Sequence, residues 1–329
     1  MSSPPRFWSA PPDAPGLAAR VLSPLGALYG AATARRVAQP GASVGVPVIC
    51  VGNINAGGTG KTPTVIEIIQ RLTARGVAAQ VISRGYGGSN KDTRKVSTSD
   101  DAAVVGDEPL LLSAFASTWV GPDRLALARA AVADGAQAIV MDDGFQNPAL
   151  AKDLSLVIVD AQAGFGNGRV IPAGPLREPV AAGLARADLL LSIGDSSAQT
   201  AFHDLWGHAI HLPHLTGALE PLPTGMPWAG LRAFAFAGIG RPAKFFETLR
   251  GLGAEIVGQR PLDDHQPLSS ALLQRLTAEA QAANAQLVTT EKDAVRLPAS
   301  YRASVLTLPV RLQIADATPL DAALDRIGL

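Results

Sequence analysis

The residues with the plainest chemistry lie in Asn55-Ala56-Gly57-Gly58-Thr59-Gly60-Lys61-Thr62. A glycine-rich turn ending in Gly-Lys-Thr is how a strand-loop-helix unit grips a polyphosphate. The glycines let backbone N–H groups turn toward phosphate oxygens, and the helix N-terminus adds positive partial charge. Lys61 can reach terminal phosphates, and the Thr62 hydroxyl can ligate magnesium. The strict pattern has glycine where Asn55 stands.

Other groups suit the same chemistry. Ala138 to Met141 is an apolar run that ends in Asp142 and Asp143. Beside a phosphate loop, such a strand-end acid helps hold magnesium, although acids there also serve as turn or capping residues. Asp107 and Glu108, in Gly106-Asp107-Glu108-Pro109, precede the helical run Leu110 to Phe115. A helix start favours acids in any case, and a loop acid pair is also where a general base is expected. Arg84, in Arg84-Gly85-Tyr86-Gly87-Gly88, and Arg177, in Pro175-Leu176-Arg177-Glu178-Pro179, can each grip a phosphate bidentately or make a surface ion pair. His265 follows Asp263 and Asp264, where a histidine can share a proton near neutral pH. His203, His208, His211 and His214 fit no tight metal-ligand spacing.

These groups need a scaffold, and the apolar runs supply one. Val46 to Val51, Ala79 to Ser83, Thr118 to Val120, Ala138 to Met141, Leu156 to Asp160 and Leu189 to Ile193 alternate with helical patterns. That alternation predicts a parallel α/β sheet with helices on both faces. A Pro, His and Gly-rich stretch at 201–230 reads as a linker or hairpin region. The pattern resumes at Phe234 to Ala237, Glu255 to Val257 and Leu287 to Thr289, which predicts a smaller α/β lobe over 231–329 beside a nucleotide-binding lobe over 41–200. Ligands in such sheets sit beyond the carboxyl ends of the strands.

The chain has 329 residues, 47% of them hydrophobic, enough to fill a real core. Lys plus Arg and Asp plus Glu number 28 each, so the global basic excess of a nucleic-acid binder is missing. One cysteine, Cys50, excludes a disulfide framework and a cysteine zinc cluster. Within residues 1–40, Leu17, Val21, Leu22, Leu25, Leu28 and Tyr29 form an apolar stretch flanked by Arg20, Arg35 and Arg36. Pro24 and Gly26 interrupt it, and it is too short to span a membrane. It reads either as an amphipathic helix at a membrane surface, with Trp8 and Tyr29 as interfacial aromatics, or as a helix packed on the protein's own core.

Taken in order, Val51-Gly52-Asn53 with Gly57 to Pro63, Ser83-Arg84-Gly85-Tyr86-Gly87, Gly106 to Pro109, Asp142-Asp143-Gly144-Phe145-Gln146, Pro175 to Pro179, Phe236 to Gly240, Asp264-His265 and Thr289-Thr290-Glu291-Lys292-Asp293 resemble the tetraacyldisaccharide 4'-kinase family of lipid A biosynthesis. The resemblance covers nearly the whole chain. Asn147 departs from it, standing where the family usually has histidine. It implies a P-loop NTPase-like fold with a second lobe, and an ATP- and Mg2+-dependent kinase. The acceptor would be the 4'-hydroxyl of an acylated glucosamine disaccharide phosphate, at the cytoplasmic face of a bacterial inner membrane. By this resemblance Asn55 to Thr62 bind ATP, with Lys61 on its terminal phosphates. Thr62, Glu108, Asp142 and Asp143 are assigned to the metal, Asp107 with His265 to proton removal, Arg177 to the moving phosphoryl group, and Arg84, Tyr86 and Glu178 to the acceptor. The competing reading is a partition or switch ATPase, whose loop carries a second lysine where this chain has Ala56.

Overall fold

The computed structural model describes residues 4–264 and 266–329. Its strands are β1 (Val48–Gly52), β2 (Ala79–Ser83), β3 (Arg94–Lys95), β4 (Thr118–Val120), β5 (Ala138–Asp142), β6 (Leu154–Asp160), β7 (Leu189–Ile193), β8 (His214–Pro221), β9 (Arg232–Ala237), β10 (Glu255–Pro261), β11 (Gln286–Thr290), β12 (Val305–Leu308) and β13 (Val310–Ile314). Nine form one sheet in the order β13-β8-β7-β6-β1-β5-β2-β4-β3; the other four form a second sheet, β10-β9-β11-β12. The larger sheet is parallel from β8 to β4, with antiparallel β13 and β3 at its edges.

Burial on both faces explains the unbroken apolar runs. In β1, Val48 and Cys50 pack into one core layer and Ile49 and Val51 into the opposite one. Burial pushes the Cys50 thiol up to about 12, so it is an inert core residue. The helix Lys61–Ala74 buries Val65, Ile66, Ile68, Ile69 and Leu72 on the second layer. The smaller sheet alternates in the same way. Phe234 and Phe236 meet the helix Ser270–Ala282, while Ala233 and Ala235 meet the helix Pro242–Gly251.

The boundaries differ from the sequence expectation at two places. The stretch 201–230, expected as a linker or hairpin, contributes β8, a full strand of the large sheet paired in parallel with β7. Beyond Pro309 the chain leaves the second sheet, and β13 pairs antiparallel with β8. Leu320, Ala323 and Leu324 of the helix Thr318–Arg326 then pack in the same layer as the helix Lys61–Ala74. Arg71 and Arg75 clasp Asp321 at 3.0 and 2.9 Å. Residues 310–329 therefore complete the first lobe, and the second is inserted between the neighbouring strands β8 and β13.

The N-terminal helix Gly16–Val37 runs without interruption, Pro24 included, contrary to the expected break. Its small residues Ala19, Gly26, Gly30 and Thr33 are buried. A Cβ on Gly26 would lie 2.7 Å from Val170 O, so only glycine permits that approach. The opposite side exposes Leu17, Val21, Leu25, Leu28 and Tyr29, spaced along one helical face. One face of the helix thus packs on the protein's own core, and the other leaves an apolar stripe exposed. Trp8 is not free for a surface, because its indole N–H donates to Pro172 O at 3.1 Å. Among the described residues no helix is long and apolar enough to cross a membrane.

Candidate active site

The strand order brings the candidate groups together. β1 lies between β5 and β6, so the glycine loop leaves β1 beside the carboxyl end of β5, where Asp142 stands. This is the switch point at which open α/β sheets bind ligands. Asn53 shapes the loop from below, donating through Nδ2 to Gly57 O at 3.2 Å and Thr59 Oγ1 at 3.0 Å. Gly57 and Gly60 have φ of 121° and 94°, a region that strains any side chain, and a Cβ on Gly57 or Gly58 would meet only open space. Ala56, Gly57 and Gly58 are exposed, with Lys61 at the helix start behind them.

Asn55 replaces the expected glycine without backbone strain. Its φ is not positive, its Nδ2 donates to Gly164 O at 3.0 Å, and it forms an antiparallel bridge with Leu176. The neighbouring Ala56 N–H donates to Pro175 O and the Arg177 N–H to Ile54 O, both at 2.7 Å. The segment 54–56 thereby aligns the Arg177 motif with the phosphate loop. Arg177 Nη1 donates to Asp143 Oδ1 and to Gln146 Oε1, each at 3.1 Å. The same Asp143 oxygen lies 3.7 Å from Lys61 Nζ. Burial would raise the Asp143 carboxyl, but Lys61 and Arg177 outweigh it and hold the group below its ordinary value.

Asp142 is in the opposite condition. Burial pushes its carboxyl up to about 7, reinforced by the negative charges of Glu108 and Asp143 and opposed by Lys61 and the Ser83 hydroxyl. Oδ2 accepts from Ser83 Oγ at 2.9 Å, while Oδ1 is buried without a hydrogen-bond partner. A divalent cation is the natural complement to such an oxygen, and the nearby donors, Thr62 hydroxyl and Glu108 carboxylate, are the hard oxygens magnesium takes. Among the described residues no three or more His, Cys, Asp or Glu side chains form a ready cage. Magnesium commonly needs only one or two carboxylates plus substrate phosphates and water, so the residues fit the ion.

Asp107 and Glu108 open the helix Asp107–Leu112 and face the second lobe. Asp107 is buried and its Oδ1 accepts the Glu108 N–H at 2.9 Å. Lys292 Nζ reaches Glu108 Oε1 at 3.2 Å, and Arg296 Nε lies 4.0 Å from Asp107 Oδ2. His265, the expected partner of Asp107, lies outside the described residues. Arg84 and Tyr86 are exposed on a loop that packs against the acid pair's own loop, since a Cβ on Gly106 would meet Tyr86 O at 2.8 Å.

Glu178 is the third residue assigned to the acceptor. It is buried, takes both Arg186 contacts at 2.7 Å, and accepts from Gln146 Nε2 at 2.9 Å. Arg186 in turn stacks over the Phe145 ring at 4.3 Å. Glu178 therefore braces Gln146 and, through it, Arg177. Sequence reasoning gave no role to Ser83, Gln146, Arg186, Lys292 or Arg296. Four of the five lie in or beside motifs, but Arg186 is a lone arginine in a helix-to-strand turn with no spacing signal.

A phosphate loop with its lysine at a helix start, strand-end carboxylates and an arginine in reach define a P-loop phosphotransferase site. Comparison with known proteins gives the family. The model of LpxK, tetraacyldisaccharide-1-P 4'-kinase, matches residues 18–328. The tetraacyldisaccharide 4'-kinase of Dinoroseobacter shibae is 68% identical over 327 residues, covering 98% of this chain and 97% of the relative. That of a Jannaschia species is 59% identical over 325 residues, covering 98% of each. A crystal structure of LpxK from Aquifex aeolicus in complex with ATP has the same fold, with a TM-score of 0.78 at 24% identity over 95% of this chain and all of that one. The chain belongs to the tetraacyldisaccharide 4'-kinase family, phosphotransferases with an alcohol acceptor in lipid A biosynthesis.

Proposed function

We propose that this protein moves the γ-phosphoryl group of ATP to the 4'-hydroxyl of an acylated glucosamine disaccharide 1-phosphate, with Mg2+ required. The observation that carries the reading is the convergence of Lys61, Arg177 and the Asp142–Asp143 pair at the end of the glycine loop. Lys61 and the loop N–H groups hold the terminal phosphates, while Arg177 neutralises charge on the group in transfer. Thr62, Glu108 and Asp142 are the residues that would hold Mg2+, which supplies charge neutralisation on the phosphates when bound. Asp107 takes the proton of the acceptor hydroxyl as its oxygen bonds to the γ-phosphorus and the bond to the β-phosphate oxygen breaks. His265 is assigned to share that proton. Arg84 and Tyr86 are assigned to the acceptor.

The acceptor is acylated, so the enzyme must work where acyl chains lie. The stripe Leu17, Val21, Leu25, Leu28 and Tyr29, flanked by exposed Arg20, Arg35 and Arg36, supports a peripheral site at the cytoplasmic face of the inner membrane. Incubation of the purified protein with ATP, Mg2+ and a tetraacyl disaccharide 1-phosphate in a detergent–lipid mixture tests the reading. A 4'-phosphorylated product, lost in Lys61→Ala, is expected. Phosphate release to water with no product would defeat it.

A further inference from the structure

Among the described residues of the second lobe, Arg296 faces Asp107 with a guanidinium held by its own lobe. Its Nη1 donates to Gln266 O at 2.8 Å and its Nη2 to Gly238 O at 3.3 Å. Nη2 is also ion-paired with Asp293. Asp293 is fully buried and held in turn by the Gly238 N–H, 3.1 Å from each carboxylate oxygen, and by the Thr290 hydroxyl at 2.6 Å. The fork is therefore fixed to its own lobe. Its Nε, by contrast, is buried with no hydrogen-bond partner among the described residues, 4.0 Å from Asp107 Oδ2. An N–H···O bond closes at about 2.9 Å, so an approach of ~1 Å would satisfy it. Nearby, Lys292 already pairs with Glu108 at 3.2 Å and stands 3.7 Å from Asp264 Oδ1, so this segment of the second lobe is the one that meets the acid pair.

We propose that Arg296 is a positioning residue for the transfer. As the lobes close, its Nε–H takes Asp107 Oδ2 as acceptor and fixes the plane of a carboxylate whose Oδ1 is already held by the Glu108 N–H. The lobe that closes is thus the lobe that aims the base. A strut that only stabilised its own lobe would need no donor turned toward Asp107. The proposal rests on Asp107 being the base, and the experiment separates the two.

Turnover and ATP affinity are measured for Arg296→Lys, Arg296→Gln, Asp107→Asn and the Arg296→Lys/Asp107→Asn double variant, with far-UV circular dichroism on each. Lysine can keep the charge beside Asp293 but cannot reproduce the fork. The expected result for Arg296→Lys is a kcat about 10–100-fold lower, the scale of a 1 Å misplacement, with KM for ATP within about threefold. Arg296→Gln should fall at least as far, and the double variant should be no slower than Asp107→Asn alone. Full kcat in Arg296→Lys, multiplicative losses in the double variant, or unfolding of both Arg296 variants would each overturn the proposal. A slow Asp107→Asn with a fast Arg296→Lys removes only Arg296 from the mechanism, whereas a fast Asp107→Asn removes the base assignment and this proposal with it.

Discussion

Asp143 meets Arg177 at 3.1 Å, and the oxygen that accepts this bond also lies 3.7 Å from Lys61. One carboxylate therefore sets the spacing of the two cations that are to receive a phosphoryl group. Asp143 has φ of 48°, unusual for any residue but glycine and best tolerated by Asn and Asp. Asp143→Asn should keep the fold and ATP binding while lowering turnover by about 10-fold or more, because Lys61 and Arg177 lose their shared anchor. Asp143→Ala should show the same kinetic loss and also unfold at a temperature lower by about 2–4 °C, since left-handed backbone costs roughly 1–2 kcal/mol for alanine. Equal melting temperatures for the two variants would contradict this account of the backbone.

The acid pair should divide by role. Asp107→Ala is expected to lower turnover about 10²- to 10⁴-fold with ATP affinity little changed, as befits a general base. Glu108→Gln should instead raise the Mg2+ concentration needed for half-maximal rate. Titration of rate against Mg2+ for both variants checks the division, and an exchanged pattern would exchange the assignments.

Glu178 supports a further test because its bond partners are known atom by atom. Glu178→Gln leaves Arg186 half-matched in a mostly buried pair, which should destabilise the protein by about 2–4 kcal/mol. Turnover should fall as well, since Gln146 loses a partner and Arg177 its support. Denaturant unfolding monitored beside kcat checks both effects. A stability loss with unchanged kcat at a temperature where the variant is fully folded would confine Glu178 to the scaffold.

Exposed side chains should matter for location and not for folding. Leu17, Val21 and Leu28 are 79%, 68% and 68% exposed, so replacing all three by serine should leave the melting temperature unchanged. Partitioning onto anionic vesicles should weaken by about 100-fold or more, given roughly 1 kcal/mol or more for each apolar side chain withdrawn from lipid. Cosedimentation measures this directly, and unchanged vesicle binding would show that the stripe serves something other than a membrane.

The local parts of this protein were legible in its sequence. A phosphate loop is written in consecutive residues, and the acids ending β5 follow an apolar run that admits little but a buried strand. Relations across the fold were not. Nothing near Arg177 reveals that it pairs with Asp143, because the meeting depends on the bridge between Asn55 and Leu176. Arg296 sits three residues from Asp293 and reads as a local ion pair, although its Nε faces the other lobe. Val310 to Ile314 has the pattern of a strand for either sheet, and nothing local reveals that it rejoins β8. Glu178 lies in a motif, yet nothing in that motif reveals its burial against Arg186.

The insertion of the second lobe between β8 and β13 also orders the birth of the molecule. During synthesis from the N-terminus, every residue of the β10-β9-β11-β12 sheet leaves the ribosome before β13 and the helix Thr318–Arg326. The later lobe in sequence can therefore fold first, while the nucleotide-binding lobe waits with an open edge at β8. Until residues 310–329 arrive, that lobe lacks both the edge strand and the acid, Asp321, that clasps Arg71 and Arg75 on the phosphate-loop helix. The phosphate-loop helix therefore gains its Asp321 brace only after the whole second lobe has been made.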